Sequence, residues 1–179
     1  MRLEQFIRRV RIEASAEEVF AWHAAPGALR LLTPPWEPVE VVAETGGLAD
    51  GAEVTLRIHA GPAAILWLAR ISDCVPGRQF RDTQVRGPFA FWQHTHRMEP
   101  DGPAACILED RILYALPFGP PGRWLGGWFV RRKLDRLFRY RHLVTQDALQ
   151  NGSNGLRAGL DQKSPGYVLT SEAASEGAL

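Results

Sequence analysis

The chain is poor in cysteine, in lysine and in long apolar runs. Its 179 residues include two cysteines, Cys74 and Cys106. They fit neither a CxxC pair nor a metal-ligand spacing, which argues against a disulfide framework or a cysteine-built metal centre. No apolar run approaches the roughly 20 residues needed to cross a bilayer. The opening segment, MRLEQFIRRVRIEAS, has no apolar signal core, so a cytoplasmic location with both thiols free is the expectation. Lys133 and Lys163 are the only lysines, and the formal net charge is +1. A near-neutral chain has no global field to recruit nucleic acid or membrane. There is no basic stripe with interleaved aromatics either, so no nucleic-acid partner is expected. Gly122 to Gly127 lacks the Gly-Lys-Ser/Thr ending of a phosphate loop. Gly152-Ser153-Asn154-Gly155 lacks the spacing of a nucleophile elbow.

What remains is an ordinary globular composition, 45% hydrophobic and 23% charged, enough for one domain with a real core. Gln5 to Ile12 alternates and reads as an opening strand. Ser15 with Glu18 three residues on is a capping box for a short helix that Pro26-Gly27 breaks. Ala28 to Leu32 is long enough for one more turn, and Thr33-Pro34-Pro35-Trp36 must be irregular. Strands are expected over Pro38–Glu44, Ala52–His59, Ala64–Asp73, Arg78–Arg86, Ala90–Met98 and Ala105–Ala115. Turn signals such as Asp50-Gly51, Gly61-Pro62, Pro76-Gly77, Gly87-Pro88 and Asp101-Gly102 separate them, which implies consecutive antiparallel hairpins. A long helix is expected from about Arg123 to Leu149, burying Val130, Leu134, Leu137, Phe138 and Val144. Arg131, Arg132, Asp135, Arg136 and Arg139 fall on its solvated side, which makes membrane docking a weak reading. From Asn151 the chain is rich in Gly, Ser, Ala and Glu without periodicity, and 150–179 is expected to be a disordered tail.

The functional signal lies between Phe80 and Tyr114. Residues two apart share a sheet face, which gathers Phe80, Asp82 and Gln84 with Trp92, His94, His96, Asp110 and Tyr114. Turns centred on Gly87-Pro88-Phe89 and near Asp101-Gly102 would set Gln84 opposite Trp92, Asp82 opposite His94, His94 opposite Asp110 and His96 opposite Leu108. A row Asp82–His94–Asp110 would make His94 an acid-base group, a hydrogen-bond donor to a ligand, or a group that only satisfies two buried acids, the last being the commoner case. Zinc or iron on His94 and His96, with Asp82 or Asp110 as third ligand, is the weaker reading. The loose Gly87, His94, His96, Glu99 pattern departs from the cupin string in both gaps, so no metal or other cofactor is expected. Trp124 and Trp128, either side of Leu125-Gly126-Gly127, read either as a mobile entrance at the helix start or, equally, as a close helix-to-sheet contact.

Several strings carry a resemblance. They are Ala16-Glu17-Glu18-Val19-Phe20, Leu32-Thr33-Pro34-Pro35-Trp36, Phe80-Arg81-Asp82-Thr83-Gln84 with Gly87-Pro88-Phe89, and Trp92-Gln93-His94-Thr95-His96. Asp110 through Tyr114 to Pro117-Phe118-Gly119 and Phe138-Arg139-Tyr140-Arg141 complete the set. Together with the order of elements they resemble the START and birch-pollen-allergen (SRPBCC) superfamily, in particular an SRPBCC ligand-binding subfamily, over residues 1–149. The resemblance implies an α+β helix-grip fold: a curved antiparallel sheet of about seven strands around a long C-terminal helix, with short helices after the first strand. It also implies a cavity for a hydrophobic ligand such as a lipid or polyketide-like compound. In that cavity Trp67, Phe80, Trp92, Tyr114, Trp128, Leu134 and Phe138 would be walls, and Asp82, Gln84, His94, His96 and Asp110 would orient a polar head. The alternative is a cyclase, aromatase or dehydratase, with His94 as acid-base and Asp82 or Asp110 orienting it.

Overall fold

The computed structural model describes residues 2–60, 63–117 and 119–150. The expected tail and the Gly61-Pro62 turn lie outside the described residues, as do the side chains of Trp124 and Leu125. The elements are β1 (Glu4–Ile12), α1 (Ala16–Ala24), α2 (Ala28–Leu31), β2 (Val39–Glu44), β3 (Glu53–Ala60), β4 (Ala63–Val75), β5 (Gln79–Arg86), β6 (Phe91–Pro100), β7 (Cys106–Ala115) and α3 (Gly119–Gln150). All seven strands form one antiparallel sheet in the order β1-β7-β6-β5-β4-β3-β2. Five hairpin connections make that order, and the α1–α2 segment carries the chain from one sheet edge to the other.

Local chemistry fixes the ends of these elements. Ser15 caps α1 through a capping box: its hydroxyl accepts from the Glu18 amide at 3.2 Å, and Glu18 accepts from the Ser15 amide at 2.8 Å. Gly77, at φ 71°, makes the turn into β5 in a conformation that a side chain would disfavour. Register shifts between Val41 and Ala43, Leu68 and Ala69, and Ser72 and Val75 break the ladders of β2 and β4. Such bulges bend and twist a sheet, and here they curl its β2–β4 half.

The register partly corrects the sequence expectation. Asp82 does face His94. On the other side His94 faces Ile112 and His96 faces Asp110, in place of Asp110 and Leu108. The turn is longer than the Asp101-Gly102 signal suggests: residues 101–105 form the loop, closed by the Asp101 amide donating to the Ala105 carbonyl at 2.8 Å. The slip is an even number of residues, so every side chain keeps its face.

Two apolar clusters hold the sheet to its helices. Ile12, Val19, Ile71, Phe80, Met98 and Leu108 are packed in one; Phe6, Trp92, Ile112, Tyr114, Leu134 and Phe138 are packed in the other. On α3, Leu134, Phe138, His142 and Thr145 are buried at helical spacing, while Arg139 and Leu143 face solvent. Arg8 of β1 reaches Asp135 of α3 at 2.6 Å. The Pro34–Glu37 segment straps onto the same helix: Trp36 packs edge-on against Tyr140 at 5.0 Å, and Lys133 pairs with Glu37 at 2.8 Å. Cys74 and Cys106 are free thiols. Among the described residues no helix is long and apolar enough to cross a membrane.

Burial separates two changes of the same type. Ile112→Ala empties a site of 0% exposure and is expected to cost about 2–5 kcal/mol. Leu143→Ala, at 59% exposure, is expected to stay within about 0.5 kcal/mol. Urea unfolding of the two variants measures the difference.

Candidate functional site

A cavity of about 720 Å³ lies between the curled sheet and α3. Its described lining comes from β2 to β6, the α1–α2 segment, α3 and the loops between elements, with nothing from strands β1 or β7. Leu56, Ile58, Trp67, Trp92, Leu134 and Phe138 are among its apolar walls. Trp67 and Trp92 meet edge to face at 5.0 Å, and Phe89 packs against both. The indole N–H of Trp67 is buried without a protein partner, whereas that of Trp92 donates to Asp82 Oδ1 at 3.3 Å.

The cavity closes on a polar group between the two apolar clusters. On β6, His94 and His96 sit between Trp92 and Met98; on β7, Asp110 sits between Ile112 and Leu108. His94 lies 3.0 Å from Asp82 through Nδ1 and 2.8 Å from Asp110 through Nε2. Asp110 also accepts from His142 Nε2 of α3 at 2.6 Å. His96 Nδ1 comes within 2.9 Å of Asp110 Oδ1, but it is not aligned for a hydrogen bond. Its Nε2 lies 3.5 Å from Asp82 Oδ2, beyond a good N–H···O length. The ring of His96 stacks on Phe80 at 4.1 Å.

Charge follows from these contacts. Burial alone would raise both carboxyls, yet the imidazoles around Asp82 and Asp110 hold them below the usual carboxylate range. Burial alone would lower His94, yet Asp82 and Asp110 on either side hold it above the ordinary imidazole value. His23 goes the other way, pushed down to about 4 by burial and by His96. A neutral His23 must donate through Nδ1 to the Val19 carbonyl, 2.8 Å away, which leaves Nε2 as an acceptor on a ring that lines the cavity. Arg141 also lines the cavity, with Nε donating to the Leu32 carbonyl at 3.1 Å.

Trp67, Phe80, Asp82, Trp92, His94, His96, Leu134 and Phe138 are therefore brought together on the cavity wall. Four expectations need correction. Gln84 uses both ends of its amide on the Phe89 backbone and braces the β5–β6 turn. Tyr114 is 1% exposed, and its hydroxyl donates to Glu4 at 3.1 Å, away from the lining. Trp128 is 71% exposed, with the Arg132 guanidinium 5.5 Å above its ring. Asp110 stands behind the histidines rather than on the wall. His23, Glu37, Lys133, Arg141 and His142 were not anticipated. His142 was readable, since it lies four residues after Phe138 on the buried stripe, and Arg141 closes the Phe138-Arg139-Tyr140-Arg141 string. Nothing local marks His23.

A seven-stranded antiparallel sheet curled around a C-terminal helix, with a cavity between them, defines a helix-grip protein of the START/SRPBCC superfamily. Residues 12–139 match the family described as polyketide cyclase/dehydrase and lipid transport, and the chain belongs to that family. No curated protein matches it by sequence. The structure is similar to norcoclaurine synthase from Thalictrum flavum in complex with dopamine and hydroxybenzaldehyde: 14% identity, TM-score 0.63, 85% of this chain and 90% of that one. It is similar to the di-domain ARO/CYC StfQ from the steffimycin biosynthetic pathway: 12% identity, TM-score 0.67, 88% of this chain and 52% of that one. It is also similar to Ara h 8.0201: 12% identity, TM-score 0.59, 82% of this chain and all of that one. Identities this low establish the shared fold alone. The family supports a ligand-binding or cyclase role.

Asp110→Asn tests how the polar group is held. Removing one member of a buried charge pair costs about 3–5 kcal/mol. Because the folded-state carboxyl titrates low, its contribution is full above the ordinary carboxylate value of about 3.9 and is lost as the pH falls below it. The stability gap between wild type and variant should be wide at neutral pH and close in acid, as read by urea midpoints across pH.

Proposed function

We propose that the protein binds a small, mainly apolar molecule with a polar head, as a carrier or by sequestration. One observation carries this reading: the cavity of about 720 Å³ is lined mainly by apolar side chains, with Asp82, His94, His96 and Arg141 among the fewer polar ones. That volume falls in the range of small-molecule sites, where a few convergent polar groups fix orientation. The polar groups suggest what the head offers. Both His94 nitrogens face carboxylates, while the lining also carries the cations Arg141 and Lys133, the latter paired with Glu37 at 2.8 Å. His23 Nε2 is an acceptor. A carbonyl, hydroxyl or carboxylate head on an aliphatic or aromatic body fits, as in a lipid or polyketide-like compound.

The second reading is a cyclase, aromatase or dehydratase, favoured by His94 and Asp82 lying 3.0 Å apart with Asp82 on the cavity wall. His94, itself on the cavity wall, would be the acid-base group, with Asp82 or Asp110 orienting the ring. His94→Gln separates the two readings. A carrier keeps binding with modest loss, whereas an enzyme loses about 10²–10⁴-fold in rate with binding largely kept.

The cavity itself is tested with anilinonaphthalene sulfonate, an apolar dye with an anionic head, titrated in EDTA. Leu56→Trp, which fills the cavity from β3, should abolish saturable dye binding in a protein that still folds. Arg141→Gln should weaken binding about tenfold, the value of one charge-assisted hydrogen bond. Unchanged dye affinity in Leu56→Trp would overturn the assignment of this cavity as the binding site.

A further inference from the structure

We propose that Asp82, His94 and His96 form a site for one divalent transition-metal ion, zinc or iron(II), at the polar end of the cavity. The inference goes beyond the binding of an apolar molecule and does not depend on which molecule fills the cavity. Its first support is the convergence of donors. One atom from each of the three side chains lies within 4.8 Å of the others. Asp82 Oδ2 is 3.0 Å from His94 Nδ1 and 3.5 Å from His96 Nε2. Ligands held about 2.0–2.2 Å from one ion at tetrahedral or octahedral angles stand about 3.0–3.5 Å apart. The two observed separations fall in that interval, and the longer one is poor for a hydrogen bond.

The second support is His96. Its ring is 7% exposed, its Nδ1 has no aligned partner, and its Nε2 has only the distant Asp82 oxygen. A buried imidazole left this way is costly. A metal on Nε2 would satisfy that nitrogen, with Nδ1 2.9 Å from Asp110 Oδ1 on the other side of the ring.

The third support is what lies behind the histidines. Metal-binding imidazoles characteristically give their other N–H to a carboxylate, which fixes the tautomer and raises basicity. Asp110 Oδ1 is 2.8 Å from His94 Nε2, which it holds by a hydrogen bond, and 2.9 Å from His96 Nδ1 without hydrogen-bond alignment, so one carboxylate stands behind both rings and holds the first. Asp110 is held in turn by His142 at 2.6 Å. Two carboxylates match the charge of a divalent ion.

The donor set selects the metal class. Two imidazoles and one carboxylate suit zinc or iron(II) rather than magnesium or calcium, which favour all-oxygen shells. Three protein ligands leave positions open, and all three side chains line the cavity, so water or the ligand head would complete the shell. On binding, the ion takes the lone pair at His94 Nδ1 and the proton held there leaves to solvent.

The test is direct binding. Full-length protein is stripped with EDTA, the chelator is removed, and the protein is titrated with cobalt(II), whose visible ligand-field bands report nitrogen and oxygen coordination. One ion per chain is expected, displaced by zinc. His96→Gln and Asp82→Asn should each weaken binding at least about 100-fold, and Asp110→Asn about 10–100-fold. Glu40→Gln, on an exposed ion pair with Arg57, should bind as wild type. Circular dichroism checks each fold, and should His96→Gln fail to fold, the near-isosteric Asp82→Asn decides. Absence of bands in wild type with cobalt in excess would overturn the site, as would wild-type affinity in folded Asp82→Asn. Dye binding in EDTA is read separately, so failure of one assignment leaves the other standing.

Discussion

The buried carboxylate of Asp110 is the constraint on which the site depends. It is 3% exposed, and a charge so placed is tolerated only with partners. Those partners come from two elements: His94 and His96 from β6, and His142 from α3. The carboxylate thus ties the long helix to β7 and β6 at a point between the two apolar clusters. Sliding α3 by one turn would take His142 away and leave Asp110 Oδ2 without that partner. The polar end of the cavity is therefore fixed by electrostatics, whereas its far walls are fixed by packing alone.

The two halves of the sheet accordingly do different work. The β1-β7-β6 side carries Phe6, Ile112, Leu108 and Met98 into close packing under α1 and α3. The bulged β2–β4 side curls away and contributes Leu56, Ile58 and Trp67 to the cavity. Asp82, His94 and His96 lie on the border between them. On that border a side chain can be buried on one side for support and open on the other to a ligand. A polar group placed deeper would be only structural, and one placed farther out would be solvated.

Much of this was legible because alternation along a strand is a rigid rule. It put Asp82, His94, His96 and Asp110 on one face before any register was known, and an even slip in the β6–β7 hairpin could not undo that. His94 reached Asp110 diagonally instead of directly. What alternation cannot give is position along the face. Tyr114 shares the face but lies past the cavity, and Gln84 lies at a turn whose backbone claims its amide. Trp128 was read from its place in the chain, and its helical phase turns it to solvent. His142 was within reach of the same stripe argument that found Leu134 and Phe138. His23 was not, because only the docking of α1 onto β6 brings its ring 5.9 Å from His96.

The proton and the metal ion make competing uses of one arrangement. With a proton on Nδ1, His94 is a cation clamped between two carboxylates, and both its N–H groups are taken. The ring then offers a ligand little directly, and polar recognition passes to the lining cations Arg141 and Lys133. With an ion in that place, the positive charge moves from the ring to a centre with open positions, able to polarise an oxygen. In either state Arg141 keeps a cation on the lining, which asks for a ligand with an oxygen acceptor at its head. Ligand class is thus set by the carboxylate framework and the arginine, while the capacity for chemistry turns on what occupies the space between Asp82 and the two histidines. A carrier and an enzyme could then share this cavity wall and differ at a single atom.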